Sequence, residues 1–169
     1  MDKIDLSVII PNRNSPYLTK TMKDILAKAE TNIEIIVNID ENWPKEIVND
    51  PKVHYIHPPT PRGMRYGINK GVQLSRGQYI MKCDDHVMFG KGFDRILIEN
   101  HQKDWVQIPR RYALNVEDWE IEEKRVEVTR QGLINAISNT IGVKPSTKSV
   151  LSIGWYPHFW SAIYKELGL

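Results

Sequence analysis

The sequence predicts an α/β fold, an open and mostly parallel sheet with helices on both faces. Short apolar runs rich in β-branched residues alternate with stretches whose apolar residues recur at helical spacing. This alternation is typical of parallel strands joined by crossover helices. Most of the apolar runs also end in polar or turn-forming residues. The predicted strands are residues 6–10, 33–39, 53–56, 78–83 and 105–108.

Three helices are predicted among these strands. The first follows Ser15-Pro16, an N-cap residue with proline at the first helical position. The second follows Gly63 and ends near Gly77, and the third includes Phe93. Beyond residue 112 the pattern weakens. It suggests an edge strand or hairpin arm at 119–128, a helix at 133–141, a loop at 144–148 and a last helix at 159–167.

Length and composition limit the class of protein. A chain of 169 residues is long enough for one domain with a real core. With 41% hydrophobic and 26% charged residues it is typical of a soluble globular protein. A formal net charge of +2 does not indicate a nucleic-acid partner. We see neither a signal peptide nor an apolar stretch long enough for a transmembrane segment.

Cys83 is the only cysteine, so no internal disulfide can form, which fits a reducing compartment. Together with the absence of a recognisable targeting segment, this predicts a cytoplasmic protein.

Polar clusters follow three of the predicted strands. They are 12–14 (Asn-Arg-Asn), 40–42 (Asp-Glu-Asn) and 84–86 (Asp-Asp-His). Ligands of open α/β sheets bind outside the carboxyl ends of the strands, so the three clusters predict one binding site. Loops are polar in any case, and any one cluster alone could be an ordinary loop. The third concentrates charge without an obvious local partner.

Asp84 and His86 are candidate metal ligands. Two residues apart on an extended segment, they point to the same side. A carboxylate with an imidazole suits Mn²⁺ better than Ca²⁺, and Mg²⁺ remains an alternative. Asp85 points the other way, toward a ribose hydroxyl or back into the loop. Asp-x-His is a weak pattern alone, and its position at the end of a strand gives it weight.

Glycines at 63, 67 and 71 form one ridge along the second helix. The ridge would let the helix pack close to the sheet, or let a ligand approach the backbone. Arg62 and Arg65 lie near the amino end of this helix, where the backbone amides already favour an anion. The alternative is a tightly packed structural helix with solvated arginines.

Residues 7–112 resemble the nucleotide-binding half of family-2-like GT-A glycosyltransferases, which have a Rossmann-like fold. The landmarks, in order, are the strand and loop at 7–14, the strand at 35–40 that ends at Asp40, the glycine-rich segment 63–71, and Asp84-Asp85-His86 in the place of the family's Asp-x-Asp. Polypeptide N-acetylgalactosaminyltransferases carry Asp-x-His there, as do some glycosyltransferase-like proteins of phages and bacteria. Residues 92–94 and 105–112 look most like the latter group.

The resemblance implies a role for each matched residue. Asp40 would accept a hydrogen bond from uracil, and Asp85 would lie near the ribose or the donor sugar. A metal on Asp84 and His86 would bridge the two phosphates and neutralise charge on the leaving UDP. The remaining nucleotide-sugar-binding residues would be Pro11, Asn12, Arg13, Gly63, Arg65 and Asn69.

The rest of the chain departs from the pattern. We expect a single domain over residues 1–169, with 1–112 binding the nucleotide-sugar and 113–169 as a reduced acceptor half. Asp118 resembles the catalytic carboxylate of inverting members, although it follows the metal motif too soon and could simply begin a loop. His158 is the candidate third metal ligand. The aromatic residues around it could stack on a sugar or anchor the last helix.

Three functions were compared. The first is metal-dependent transfer of a sugar from a UDP-sugar to an unknown glycan, protein or lipid-linked acceptor. The second is a nucleotide- or sugar-binding module of the same fold without transfer activity. The third, a sugar nucleotidyltransferase, is disfavoured because such enzymes have a glycine-rich loop after the first strand, and residues 11–14 contain no glycine.

Overall fold

The computed structural model describes residues 3–103, 105–109 and 112–125, with side chains as far as Glu122. The helices and the loop predicted within 126–169 lie outside these residues, as do His158 and the aromatic residues around it.

A four-stranded parallel sheet forms the centre of the fold. Its strands are β1 (Leu6–Asn12), β2 (Ile33–Ile39), β3 (Val53–Ile56) and β4 (Tyr79–Lys82). Their spatial order is β3-β2-β1-β4, and every neighbouring pair is parallel. β1 and β2 are the most apolar strands and are almost entirely buried, as expected for strands covered on both faces.

Helices cover both faces of the sheet, which confirms the predicted fold class. They are α1 (Leu18–Lys28), α2 (Met64–Leu74) and α3 (Phe93–Glu99). Alternate strand residues point to opposite faces. One set, which includes Val8, Val37 and Met81, packs with α1 and α3 in the hydrophobic core. The other set, which includes Ile9 and Asn38, faces α2.

The glycine ridge of α2 lies directly on the sheet. A Cβ at Gly67 would come within 2.7 Å of the Asn38 side chain, and one at Gly71 within 2.6 Å of Ile9 Cγ2. Such distances lie well inside van der Waals contact. Of the two interpretations of the ridge, close packing of the helix is therefore the one that Gly67 and Gly71 support.

A buried carboxylate ties the amino ends of β1 and β2 to the segment before β4. Glu34 is 1% exposed. Its Oε1 accepts hydrogen bonds from the Ser7 hydroxyl (2.7 Å) and the Arg76 backbone N–H (2.6 Å), and its Oε2 accepts one from Arg76 Nε (2.8 Å). Oε2 also forms an ion pair with Arg76 Nη2 (2.7 Å). Burial raises the pKa of Glu34, but these hydrogen bonds outweigh it and hold the pKa below its ordinary value of 4.5.

Residues 92–94, part of the resemblance, have a structural role. The Asp94 carboxylate is fully buried and accepts hydrogen bonds from the backbone N–H groups of Glu30 and Thr31 and from the Thr31 hydroxyl. Gly92 has φ 67°, in the left-handed region, and a Cβ there would come within 2.6 Å of the Glu30 carboxylate. Phe93 packs against Phe89 with ring centroids 4.3 Å apart. The segment fixes the turn between α1 and β2.

The strand predicted at 105–108 was wrong. These residues form no strand, and Trp105 and Ile108 are exposed. Pro109, which has no backbone N–H, directly follows the run. Among the described residues, this short apolar run has no strand to pair with.

The predicted hairpin arm is present as far as the structure describes it. β5 (Tyr112–Asn115) and β6 (Glu120–Arg125) pair antiparallel. Lys20 of α1 supports the turn that joins them, because its Nζ donates to the backbone oxygens of Val116 (3.4 Å) and Glu117 (3.2 Å) and lies 5.5 Å from the Trp119 ring centroid. Within the described ranges, no helix has both the length and the apolar character needed to cross a bilayer.

Candidate functional site

The carboxyl ends of the sheet bring two buried carboxylates to one edge. Asp40 directly follows β2 and Asp84 lies two residues beyond β4, on the two strands that flank β1. Asp40 is 4% exposed and Asp84 is 8% exposed. Strand alternation places both on the α2 side of the sheet. Two strand spacings separate β2 from β4, so the two strands that carry the carboxylates are about 10 Å apart.

Asp84 has one oxygen paired and one without a partner. Its Oδ1 forms an ion pair with Lys82 Nζ, and both side chains are 11% exposed. Its Oδ2 is buried and has no hydrogen-bond partner among the described residues. A buried polar atom without a partner is costly, and native proteins retain few of them. Such an oxygen at the carboxyl end of a parallel strand is a candidate for binding a ligand.

Sequence reasoning missed Lys82. The signal was present, because residues two apart on a strand share a face, and Lys82 precedes Asp84 by two. A buried lysine beside a buried aspartate is the expected result of that spacing.

Asp85 turns back into the loop, the second of its two predicted directions. Asn12 Nδ2 donates to Asp85 Oδ2 (2.8 Å), and His86 Nδ1 donates to Asp85 Oδ1 (2.9 Å). The hydrogen bond to Asp85 raises the pKa of His86, burial opposes it, and the negative charges of Asp85 and Asp84 add to the rise. Asp85 thereby links the end of β1 to the imidazole.

Asp84 and His86 have the chemistry of a divalent-metal site. Asp84 Oδ2, which has no hydrogen-bond partner among the described residues, is a carboxylate oxygen that could bind a cation. With His86 Nδ1 on Asp85, His86 would ligate a metal through Nε2, and a carboxylate behind the ring is the usual support of a metal-binding histidine. Among the described residues no group of three or more His, Cys, Asp or Glu could hold a metal ion. A cation held by Asp84 and His86 would therefore need ligands beyond these two side chains.

Helix α1 holds the loop that carries these residues. The Val87 backbone N–H donates to Thr21 Oγ1 (3.1 Å), and the Phe89 N–H donates to Asp24 Oδ2 (2.8 Å). Thr21 is fully buried, and Asp24 also pairs with Lys28. Two successive turns of α1 thus fix the backbone just after His86.

Asp40 binds the segment that leads into α2. Its Oδ1 accepts from the backbone N–H groups of Arg62 (2.7 Å) and Gly63 (2.9 Å), and its Oδ2 accepts only a longer bond from Gly63 (3.1 Å). Gly63 has φ 83°, a conformation that favours glycine. A carboxylate oxygen can accept two hydrogen bonds, so Oδ2 retains capacity for a ligand donor.

The other predicted nucleotide residues lie at different distances from this centre. Pro11 is half-buried in β1 and pairs in register with Asn38. Arg13 is exposed and pairs with Glu41 (3.3 Å). Arg65 and Asn69 are exposed on α2, each two residues from Gly67 and therefore about 200° around the helix from the sheet-facing ridge. Their assignment to nucleotide binding stays a prediction.

Asp118 lies in the hairpin turn rather than in a cleft. Its side chain is exposed and accepts a hydrogen bond from Asn115 Nδ2 (2.7 Å). The assignment of Asp118 as a base stays a prediction. The assignment of His158 as a third metal ligand also stays a prediction, because His158 lies outside the described residues. His101, a later histidine in sequence, packs on Tyr79 at the start of β4 with ring centroids 5.2 Å apart. Five residues separate Tyr79 from Asp84, which is about 16 Å along a strand.

Asn38 is a second residue that sequence reasoning missed. It is 1% exposed, and neither atom of its side-chain amide has a hydrogen-bond partner among the described residues. It faces α2 beside Gly67, on the same side of the sheet as Asp40. The signal was an amide in an otherwise apolar strand, where only Glu34 and Asn38 are polar.

Comparison with known proteins identifies the family. The model of the family described as Glycosyl transferase family 2 matches residues 7–156. No curated protein matches the chain. Among solved structures, one described as the crystal structure of S. aureus TarS 1-349 is 19% identical, with a TM-score of 0.46 over 57% of this chain. The match spans only 31% of the length of the TarS chain. The sheet and helices agree with the predicted GT-A class, and the match over residues 7–156 shows that this chain belongs to glycosyl transferase family 2.

Proposed function

We propose that this protein transfers a sugar from a UDP-sugar to a glycan, protein or lipid-linked acceptor, with Mn²⁺ or Mg²⁺ bound at Asp84 and His86. One observation carries the proposal. In a chain of this family, a buried carboxylate oxygen without a partner among the described residues, Asp84 Oδ2, lies beyond the strand next to β1, two residues from a carboxylate-supported histidine.

Asp84 and His86 would hold the cation between them. When bound, the cation neutralises charge on the departing diphosphate by Lewis-acid stabilisation. Asp85 orients the imidazole through Nδ1, and Asn12 holds Asp85. The described residues offer fewer than three protein ligands, so phosphate oxygens of the donor would complete the coordination.

The nucleoside would lie between the two carboxylates, over the end of β1. Asp40 Oδ2 would accept the uracil N–H, while Asp40 Oδ1 stays on the α2 backbone. Pro11 would line the base and Arg13 the ribose, with Gly63, Arg65 and Asn69 as further nucleotide residues. The spacing of about 10 Å across two strands is on the scale of a nucleoside diphosphate.

The acceptor side is the second part of the proposal. We assign it to residues 113–169, with Asp118 as the base and His158 as a third metal ligand. Two contacts of α1 support this assignment. Lys20 donates to the hairpin turn that carries Asp118, and the next residue, Thr21, accepts a hydrogen bond from the Val87 backbone N–H, just after His86.

The test compares UDP binding, with and without Mn²⁺, in the parent, Asp84→Asn and the control Glu99→Gln. Asp84→Asn keeps the side-chain shape and removes the charge, and Glu99 is an exposed carboxylate at the far end of α3. We expect Mn²⁺-dependent UDP binding in the parent and the control and its loss in Asp84→Asn. Asp84→Asn binding UDP–Mn²⁺ like the parent would refute the site.

Turnover decides between an enzyme and a binding module. UDP-sugars of several hexoses and N-acetylhexosamines are incubated with the protein and Mn²⁺, and release of UDP is measured. Slow hydrolysis of at least one donor supports transfer chemistry. Tight binding of UDP without release from any donor favours the module. Equal affinity for UDP and GDP would contradict the role of Asp40.

A further inference from the structure

The Lys82–Asp84 ion pair has a consequence for how a cation reaches the site. The two side chains are equally buried and lie on one face of β4, with Lys82 Nζ on Asp84 Oδ1. The ammonium therefore lies within a few ångströms of Oδ2, the atom proposed to ligate the metal. Charges interact strongly at such distances away from bulk water.

A free divalent cation would find this site unfavourable. The negative charge of Asp84 is already balanced by Lys82, and an incoming cation would also face repulsion from the ammonium. Among the described residues, no group of three or more His, Cys, Asp or Glu side chains could hold the cation. Mg²⁺ and Mn²⁺ would have to give up hydration water for two protein atoms, which they do reluctantly.

A cation that arrives with a nucleoside diphosphate meets different conditions. The phosphate oxygens supply the missing ligands, and the complex of UDP with one divalent cation carries a net negative charge. Lys82 then attracts the ligand as a whole. The same ammonium that opposes the bare cation favours the metal–diphosphate complex.

We infer that Lys82 makes cation binding conditional on the nucleotide diphosphate: it weakens binding of the free metal at Asp84 and strengthens binding of the metal–UDP complex. The inference rests on the proposed function and adds to it the selection of the loaded nucleotide. Lys82 acts here as a charge that positions Asp84 and attracts the diphosphate, and the inference requires no change of its protonation.

The first measurement needs no substitution. Titration calorimetry gives the affinity of the parent for Mn²⁺ alone and for Mn²⁺ in the presence of UDP. We expect UDP to tighten Mn²⁺ binding at least a hundredfold, and Mn²⁺ to tighten UDP binding by the same factor, because such coupling is reciprocal. Parent protein that binds Mn²⁺ equally well with and without UDP would overturn the inference.

The second measurement uses Lys82→Met and Lys82→Gln, with Lys52→Met as the control. Met keeps most of the apolar stem, Gln keeps a donor for Asp84, and Lys52 is exposed just before β3. Both Lys82 variants should bind Mn²⁺ alone on the order of tenfold more tightly and Mn²⁺–UDP on the order of tenfold more weakly. Lys52→Met should change neither affinity.

Opposite shifts separate the two explanations of Lys82. A lysine that only stabilised the fold would, once removed, weaken both affinities together or leave both unchanged, and either result overturns the inference. Failure of the proposed function has a different signature, because the parent itself would then bind no UDP even with Mn²⁺ present. Thermal melting of each variant verifies that the fold is retained.

Discussion

Replacing Glu34 with glutamine should destabilise the protein by about 2–4 kcal/mol at neutral pH. Gln keeps an oxygen in place of Oε1, which can still accept from Ser7 and the Arg76 backbone. Its amide group can neither accept the guanidinium hydrogen bond made to Oε2 (2.8 Å) nor keep the ion pair with Arg76 Nη2 (2.7 Å). Hydrogen bonds to charged groups contribute about 1.5–3 kcal/mol each. One such hydrogen bond is lost together with the ion pair, but the Arg76 side chain is 54% exposed and can turn to water, so we expect a total loss of about 2–4 kcal/mol.

The destabilisation should depend on pH. The folded pKa of Glu34 lies below 4.5, so its contribution to stability is fully present above that value and is lost as pH falls through the folded pKa. Urea unfolding of the parent and Glu34→Gln between pH 7 and pH 3 measures the difference. It should stay constant down to about pH 5 and shrink below that. In a chain of this length, the neutral-pH effect corresponds to a melting temperature lower by roughly 5–15 °C.

An exposed ion pair provides the matched control. Glu99 bonds Arg95 at 3.0 Å, and its side chain is 58% exposed. Glu99→Gln should therefore change the free energy of unfolding by less than about 0.5 kcal/mol. The reasoning fails if Glu34→Gln is as stable as Glu99→Gln at pH 7, or if its destabilisation is the same at pH 3 and pH 7.

Two further predictions concern packing. Gly71→Ala places a methyl group 2.6 Å from Ile9 in a filled layer, and an overpacking cost of about 1–3 kcal/mol should exceed the gain of about 1 kcal/mol in helix propensity. Gly90→Ala, where nothing lies within 4 Å, should be neutral or slightly stabilising, and thermal melts that rank the two the other way would contradict this. Lys20→Met should speed amide hydrogen exchange in the turn at 116–119 without lowering overall stability by more than about 1 kcal/mol, because its contacts there are exposed. Unchanged exchange in the turn would show that Lys20 does not hold it.

Local patterns predicted the sheet well because its strands are unusually apolar. β2 was predicted with its observed bounds, and α2 was found from Gly63 and its helical spacing. The failure at 105–108 has the opposite cause. A run of apolar residues predicts a strand only where a neighbouring strand supplies hydrogen bonds, and local sequence does not reveal whether one is present.

The candidate site was likewise predicted only in part from the sequence. Position at the end of a strand was enough to single out Asp40 and Asp84, since alternation and the parallel topology fix where they lie. The link from Asn12 to Asp85 spans 73 residues of sequence, so no local pattern could reveal it. Asp40 was expected to meet a ligand, whereas its Oδ1 is bonded to the backbone at 62 and 63. Such contacts depend on the tertiary structure.

The anchoring of residues 87–89 to α1 bears on the thermodynamics of the proposed donor binding. Thr21 and Asp24 already fix the backbone at Val87 and Phe89, immediately after His86. The conformational entropy of that loop is therefore lost during folding and does not have to be lost again when a nucleotide arrives. A substitution that frees these two backbone N–H groups would transfer the entropic cost to the binding step. Donor affinity would then fall although no residue in contact with the donor had changed.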